Sequence, residues 1–492
     1  MKRIVLTAVA VCMAFVLAAQ ESSRKVTLTL DEAIKIALDE NPTIKIADME
    51  VERQDYARRE TVGNLLPSLS ASGDYSYSIV KQKMSKSGLS FGADNTITVG
   101  ATLAVPLFVP AVYAALQLNE AQMADAVESA RSSRLSMVNE VRKAYYNILL
   151  LNESLDVLHE SEALMEETVA NAKNMYEAQL GSEYDYLTAL SNLSSIKPNI
   201  IQTQGSIEVA YLYMHMLLSM PNDVEIELVG SLDDYSDEIV NSSAVYSTDI
   251  SGNTTLRSLE IQERMLEAQL RAANAQRIPT ISAFGTISFY GNDMPEIDFG
   301  DMGFGDMFGG VSLGDYPNLV NAVTTALGPS GMSDLNRLLS SMSESGYSTG
   351  SSNSFWWQHP ASVGVSISIP IFSGNKINSQ VKQARIAIEQ LRMQREYQEE
   401  ATGMEVRTAI SNLITARSSM EANQTAMAQA RKAFDISNVR YRGGMGTILE
   451  LNTSQFQFTQ AQLNYTQAVY DYLAAQADYE QIVGLDYEVD GE

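Results

Sequence analysis

Apolar and polar residues alternate one by one in four stretches of the chain. From Thr96 to Leu107 one face carries Ile97, Val99, Ala101, Leu103, Val105 and Leu107, and the other carries Thr96, Thr98, Gly100, Thr102, Ala104 and Pro106. Val363, Val365, Ile367, Ile369 and Ile371 oppose Ser362, Gly364, Ser366 and Ser368 in the same way. A period of two predicts strands, here over about 66–79, 96–108, 278–290 and 361–372. Each run is near the roughly 9–11 residues of a tilted transmembrane strand. An apolar face backed by small polar residues suits a wall between lipid and water, and Tyr75, Tyr77, Phe108, Phe289, Trp356 and Trp357 could form its aromatic girdles. A soluble sandwich with one buried face has the same pattern. Four strands cannot close into a barrel, and an open edge cannot sit in lipid. Membrane strands would therefore require several chains to share one barrel.

Between the strands the period changes. Val141, Ala144, Ile148, Leu151, Leu155, Leu158, Met165, Val169, Ala172 and Tyr176 follow alternating three- and four-residue steps, broken only at Glu162. That spacing is a coiled-coil seam. It predicts a long helix over about 111–176, with a second over about 375–441. At 1.5 Å per residue each is roughly 100 Å long, more than a compact globule holds. Returning helices are predicted over about 182–220 and 447–483, and shorter helices over Thr43 to Asn64 and Thr254 to Arg277. A short helix and a returning helix together match one long helix in length, so the two could stack end to end beside it.

The pattern occurs twice. Leu66-Pro67-Ser68-Leu69-Ser70-Ala71 returns as Ile278-Pro279-Thr280-Ile281-Ser282-Ala283. The strand ending Val105-Pro106-Leu107-Phe108 returns as Ile369-Pro370-Ile371-Phe372. Tyr176, Gly181 and Asp185 return at the same spacing as Tyr441, Gly446 and Glu450. Residues 221–252, with acids at Asp233, Asp234, Asp237 and Glu238, are expected to be a small mixed region between the halves.

Composition then narrows the class. Lys2, Arg3, an apolar run from Ile4 to Leu17 and the small pair Ala18-Ala19 predict a secretory signal peptide over 1–19. The sole cysteine, Cys12, lies inside that run, so the exported chain has no thiol for a disulfide, a metal or catalysis. No later stretch is apolar enough for a transmembrane helix. The 34 basic side chains, less Lys2 and Arg3, against 60 acidic ones give the exported chain a formal charge of −28. Such a charge argues against nucleic acid and fits a water-filled passage that prefers cations. His159, His215 and His359 have no partner at metal-ligand spacing, and there is no phosphate loop or nucleophile elbow. Neither a cofactor nor an enzyme activity is expected. The methionines of loop 291–360 are read as filler rather than copper ligands.

The chain resembles the TolC-like outer-membrane efflux family. Leu28-Thr29-Leu30-Asp31-Glu32-Ala33-Ile34, then Ala37-Leu38 and Asn41-Pro42, match its opening signature, and the twofold repeat and the Pro-containing strand ends add to the likeness. The resemblance covers about Val26 to Tyr487. It implies a mainly α fold with a transmembrane β part: a long α-helical coiled-coil barrel plus four strands per chain, completing a twelve-stranded barrel in a homotrimer. The halves would be 20–220 and 253–492, with 291–360 as an outer loop. The helical tunnel would hang in the periplasm below the outer-membrane lipid. A periplasmic adaptor and an inner-membrane transporter would dock to it and supply the energy.

The resemblance also implies a site. The tunnel tip would lie at the turns Gln179 to Ser182 and Gly443-Gly444-Met445-Gly446. Gly181, Gly443, Gly444 and Gly446 would permit the reversals by adopting positive φ. Asp185 and Glu450 would line an acidic constriction, with Tyr176 and Tyr441 among the gate contacts. A family member carries arginine where Gly446 stands and an acid where Thr453 stands, so its gate salt bridge cannot form here; Arg442 is the candidate substitute. Two other classes remain: a soluble periplasmic coiled-coil adaptor or scaffold, which leaves the strands unexplained, and a secreted enzyme with a helical stalk, which lacks a catalytic constellation.

Overall fold

The computed structural model describes residues 25–80, 82–83, 90–91, 93–241, 246–293 and 356–487. The expected signal peptide and most of the expected outer loop lie outside them. The described chain forms two units, one helical (up to Gly63, Pro110–Ile278 and from Pro370) and one of strands (Asn64–Val109 and Pro279–Ile369).

The helical unit begins with β1 (Lys25–Leu28), α1 (Leu30–Glu40) and α2 (Pro42–Gly63). The opening signature has a local physical role here. Thr29 Oγ1 accepts from the Glu32 N–H at 3.3 Å, while Glu32 Oε2 accepts from the Thr29 N–H at 2.9 Å, a reciprocal capping box. Ala33, Ile34 and Ala37 are then one fully buried face of α1. α3 (Pro110–Glu177) and α4 (Glu183–Leu218) follow, then β4 (Glu225–Leu228), α5 (Leu232–Asn241) and α6 (Thr254–Ala275). α7 (Lys376–Arg442) and α8 (Ile448–Val483) complete the unit. α3 and α7 have 68 and 67 residues. Their ends lie within a residue or two of those expected.

Two asparagines join short helices to returning ones. Asn41, just before α2, donates Nδ2–H to the Leu217 carbonyl at 2.8 Å, at the end of α4. Asn253, the N-cap of α6, donates to the Ile482 carbonyl at 2.7 Å, at the end of α8. Each bond satisfies a carbonyl that a helix end leaves unpaired, and each sets a short helix end to end with a returning one. The principal core lies here, with Val141, Tyr145, Ile148, Met214, Leu218, Leu413 and Val469 nearly inaccessible. Of the expected seam, Val141, Ala144, Ile148, Leu158 and Ala172 are buried, whereas Tyr176 is exposed.

The region between the halves contains a strand and a helix. β1 and β4 pair in parallel, Lys25 opposite Glu225 through Leu28 opposite Leu228. Glu153 of α3 accepts from the Leu232 N–H at 2.6 Å, at the start of α5. Burial pushes its carboxyl up to about 7, and the charges of Asp233, Asp156 and Asp234 push the same way.

The strand unit is an antiparallel sheet in the order β2 (Ser68–Tyr77), β3 (Asn95–Phe108), β5 (Thr280–Asn292) and β7 (Ala361–Ser368). β6 (Trp356–Gln358) also pairs with β5, and a short ladder joins Gln82–Lys83 to Ser90–Phe91. Register aligns the faces. Leu69, Leu103, Gly285 and Val363 form one cross-strand row, and Ser70, Thr102, Thr286 and Ser362 the next. The Thr286 and Ser362 hydroxyls meet at 2.7 Å across that polar row. The apolar face is open: Leu69 is 75% exposed and Val363 90%. β7 stops at Ser368, short of the expected 372, just before Pro370, whose nitrogen has no proton for a ladder.

Candidate functional site

All nine expected site residues fall on the two reversals that join α3 to α4 and α7 to α8. Each position n of the first stands at n + 265 in the second. The backbones follow one scheme. In the first, the Gln179 N–H donates to the Tyr176 carbonyl at 3.0 Å, and the Leu180 and Gly181 N–H groups converge on the Met175 carbonyl at 2.8 and 3.0 Å. In the second, the Gly444 N–H donates to the Tyr441 carbonyl at 3.0 Å, and those of Met445 and Gly446 converge on the Arg440 carbonyl at 2.9 and 3.1 Å. These bonds satisfy the last carbonyls of α3 and α7.

The returning helices then start alike. Ser182 Oγ accepts from the Asp185 N–H at 3.1 Å, and Thr447 Oγ1 from the Glu450 N–H at 3.2 Å. Asp185 and Glu450 therefore occupy the third position of a capped helix, where the dipole favours a carboxylate.

The glycines divide the work differently from the expectation. Only Gly444 adopts positive φ (70°); at the first reversal that position is Gln179 (φ 60°). Gly443 sits at φ −80°. Gly181 and Gly446 are needed for close approach instead. A Cβ at Gly446 would stand 3.1 Å from the Tyr441 nitrogen, and one at Gly181 3.0 Å from the Met175 Cβ. The chain turns back against the preceding helix there, so a side chain would fit only if its neighbours gave way by a few tenths of an ångström.

Both reversals share one apolar cluster. Ala172, Ala189, Phe434, Tyr441, Ile448, Leu451 and Phe458 are buried together, with Tyr186 and Val169 against them. The rings of Phe434 and Phe458 stack at 5.7 Å. The two tyrosines differ. Tyr441 is buried, and burial followed by the charge of Asp185 raises its phenol above the usual range. Tyr176 is exposed and stacks on Tyr186, ring centres 6.3 Å apart and planes 4° from parallel.

The two cations of the second reversal take different carboxylates. Arg440, not Arg442, meets Glu450: Nη2 to Oε2 is 3.7 Å, and the same nitrogen donates to the Met445 carbonyl at 3.4 Å. Arg442 Nη2 donates to Glu167 Oε1 of α3 at 2.7 Å. The Asp185 carboxylate has no ion pair among the described residues. The apex of each turn is an apolar side chain at the equivalent position, Leu180 (82% exposed) and Met445 (73%). Sequence reading passed over Arg440, Leu180 and Met445. The repeat spacing would have paired the two apices, whereas Arg440 stands opposite Met175 and gives no such signal.

Chemically the site is a pair of helix starts bearing one free and one cation-matched carboxylate, around a buried tyrosine. No group of three or more metal-ligating side chains occurs among the described residues. His159 lies 3.4 Å from Glu162, His215 is buried, and His359 packs against the Phe289 ring.

The sequence profile of the family described as "Outer membrane efflux protein" matches residues 33–217 and 320–485. The chain is 29% identical over 102 residues to "Outer membrane efflux protein BepC" of Brucella suis biovar 1 (strain 1330), covering 21% of this chain and 22% of that one. It is 33% identical over 89 residues to "Outer membrane protein TolC" of Escherichia coli (strain K12), 18% of each chain. The matched stretches thus span about a fifth of each curated relative. The solved structure of the Campylobacter jejuni CmeC outer membrane channel is similar with a TM-score of 0.68 at 15% identity, over 94% of this chain and 87% of that one.

Proposed function

Because this chain belongs to the outer membrane efflux protein family, we propose that it is the passive duct of a tripartite efflux system, carrying substrates from the periplasm to the exterior. The observation that carries this reading is the strand unit: a sheet four strands wide, the short β6 lying in line with β7 beside β5, with two edges unpaired among the described residues and an exposed apolar face. Alone it can neither close nor bury that face. Three copies, edge to edge, make a twelve-stranded barrel with the apolar side toward lipid and the Ser/Thr side toward water. The two halves of the chain, 20–220 and 253–492, act as repeats, with 221–252 between them and 1–19 removed on export.

In this reading the helical unit is the periplasmic tunnel, and the two reversals form its mouth. Three copies bring six carboxylates from Asp185 and Glu450 to the constriction, a ring that attracts cations. Tyr176 and Tyr441 pack the gate, Arg440 braces the second hairpin internally against Glu450, and Arg442 ties that hairpin to α3. A periplasmic adaptor and an inner-membrane transporter engage the mouth and supply the energy.

Planar-bilayer conductance of the purified mature chain tests this. Small cation-selective channels are expected, with selectivity reduced in Asp185→Asn/Glu450→Gln. Channels whose selectivity ignores both changes would move the constriction elsewhere. A folded chain that does not insert would remove the duct reading altogether.

A further inference from the structure

The charge of the helical unit is not evenly spread. Stretches 264–277 and 376–395 together hold eight Lys and Arg against two Glu, in a chain with 34 basic and 60 acidic residues. The sign flips abruptly on α7: Arg392 and Arg395 are followed by Glu396, Glu399 and Glu400. The two basic stretches pack against each other. Arg277 donates to Asn378 Oδ1 at 2.6 Å, and Arg392 and Arg395 both hold Glu263, at 2.6 and 2.8 Å. They are also the ends that lead into strands: Arg277 stands three positions before Thr280 of β5, and Lys376 eight after Ser368 of β7.

Part of this charge is unspent. Lys376, Lys382 and Arg385 are exposed and have no ion partner among the described residues. Arg385 lines an open groove of about 570 Å³ with Leu270, Arg271, Asn274, Ile388 and Arg392. Glu267 and Glu389 also line it, but Glu267 is held by Arg271 at 3.5 Å and Arg392 at 3.8 Å. Arg271 also donates to Gln117 Oε1 at 2.7 Å, and Glu389 is exposed at the rim, so the groove offers the Arg385 guanidinium, with exposed Lys382 one turn before it, beside half-buried Leu270. A different side of α7 carries Ile386, Met393, Tyr397 and Met404, all exposed, as an apolar stripe.

We propose that the groove between α6 and α7, with Lys382 and Arg385, docks the phosphate headgroups of anionic lipids in the periplasm-facing leaflet. Arginine matches phosphate oxygens in a two-pronged geometry that lysine supplements as a point charge. Basic residues beside an anionic surface each strengthen the attachment. Half-buried Leu270 favours a lipid over a free phosphate, because the glycerol and first acyl carbons cover it. This rests on the membrane reading of the strands given above.

Native mass spectrometry of the purified mature chain tests it, with equimolar phosphatidylglycerol and phosphatidylcholine. Phosphatidylglycerol adducts should dominate, and the triple variant Arg271→Gln/Lys382→Gln/Arg385→Gln should lower the adduct ratio about tenfold or more. The same charge removed further along the chain, in Arg407→Gln/Arg431→Gln/Lys432→Gln, should leave the ratio unchanged. Equal adducts of both lipids, an unaltered ratio in the first variant, or an equal loss in the second would overturn the proposal. So would displacement of the lipid by an equal concentration of inorganic phosphate. Flotation with purely zwitterionic vesicles separates the two readings. Insertion of chain and variant alike, without a headgroup preference, leaves the membrane reading standing and removes this one; failure of both to insert removes both.

Discussion

At the first helix reversal the left-handed residue is Gln179, the tyrosine is exposed, and the carboxylate of Asp185 is unpaired among the described residues; at the second the left-handed residue is Gly444, the tyrosine is buried, and Glu450 faces Arg440. The main chains make the same bonds in both. The difference therefore lives in side chains laid on one backbone. It makes the second hairpin the fastened one, held to α3 through Arg442 and Glu167 and to the core through Tyr441. The first hairpin keeps a strained turn and a free charge. In the proposed reading of the reversals as a mouth, the first hairpin is the one to move, because the elements that move come from the less stable parts of a fold.

The comparison breaks first at the close-approach glycines. At Gly446 a Cβ would meet the Tyr441 nitrogen at 3.1 Å and the Arg440 carbonyl carbon at 3.3 Å, both main chain of the helix it caps. At Gly181 the nearest atom is the side-chain Cβ of Met175, and the nearest main-chain atoms stand 3.4 Å away. Gly446→Ala should therefore weaken its hairpin by about 2 kcal/mol and Gly181→Ala by about 1 kcal/mol. Amide hydrogen exchange of the turn peptides reads each effect locally. Equal losses would mean that both turns yield alike and that the second is no better fastened.

The positive-φ residue gives the next effect. Gln179→Gly relieves a side chain held in the left-handed region and should slow exchange at the first turn by about 1 kcal/mol, while Gly444→Gln should speed it at the second by a similar amount. If Gln179→Gly changes nothing, the first turn carries no strain and its looseness must come from side-chain contacts alone.

These differences bear on what was legible in the sequence. Helix lengths were readable because apolar spacing reports period, and period does not depend on partners. The strand faces were readable for the same reason, and the cross-strand rows follow once the register is known. The roles of the turn glycines were not. Glycine is needed both for positive φ and for close approach, and Gly181 and Gly446 take the second use while Gln179 takes a conformation that its type disfavours. The Asn41-Pro42 pair was legible as a family mark and silent about its job. The hydrogen bond from the Asn41 side-chain amide to the Leu217 carbonyl spans 176 residues of chain, beyond any local pattern. Arginine pairing was hidden too, because the partner of Arg442 lies on α3, 275 residues away.

The smallest expected effect separates those two arginines. Both pairs are about half exposed, Arg440 with Glu450 and Arg442 with Glu167. Each should therefore contribute at most about 1 kcal/mol, less in high salt. Their readouts nonetheless diverge. Arg442→Gln removes a tie between α7 and α3, so exchange should rise on both helices near residues 167 and 442, and conductance should rise if the tie restrains the mouth. Arg440→Gln removes the cation beside Glu450 without touching α3. Its carboxylate then stands as open as that of Asp185, so cation selectivity should rise with little change in exchange on α3. Raising salt should shrink both differences, since exposed charges are screened. If Arg440→Gln instead loosens α3 while Arg442→Gln leaves it protected, the fastening of the second hairpin has been assigned to the wrong arginine. If neither variant alters channel behaviour, the inequality of the two hairpins is a property of packing alone, and Tyr441 in its apolar cluster must carry it.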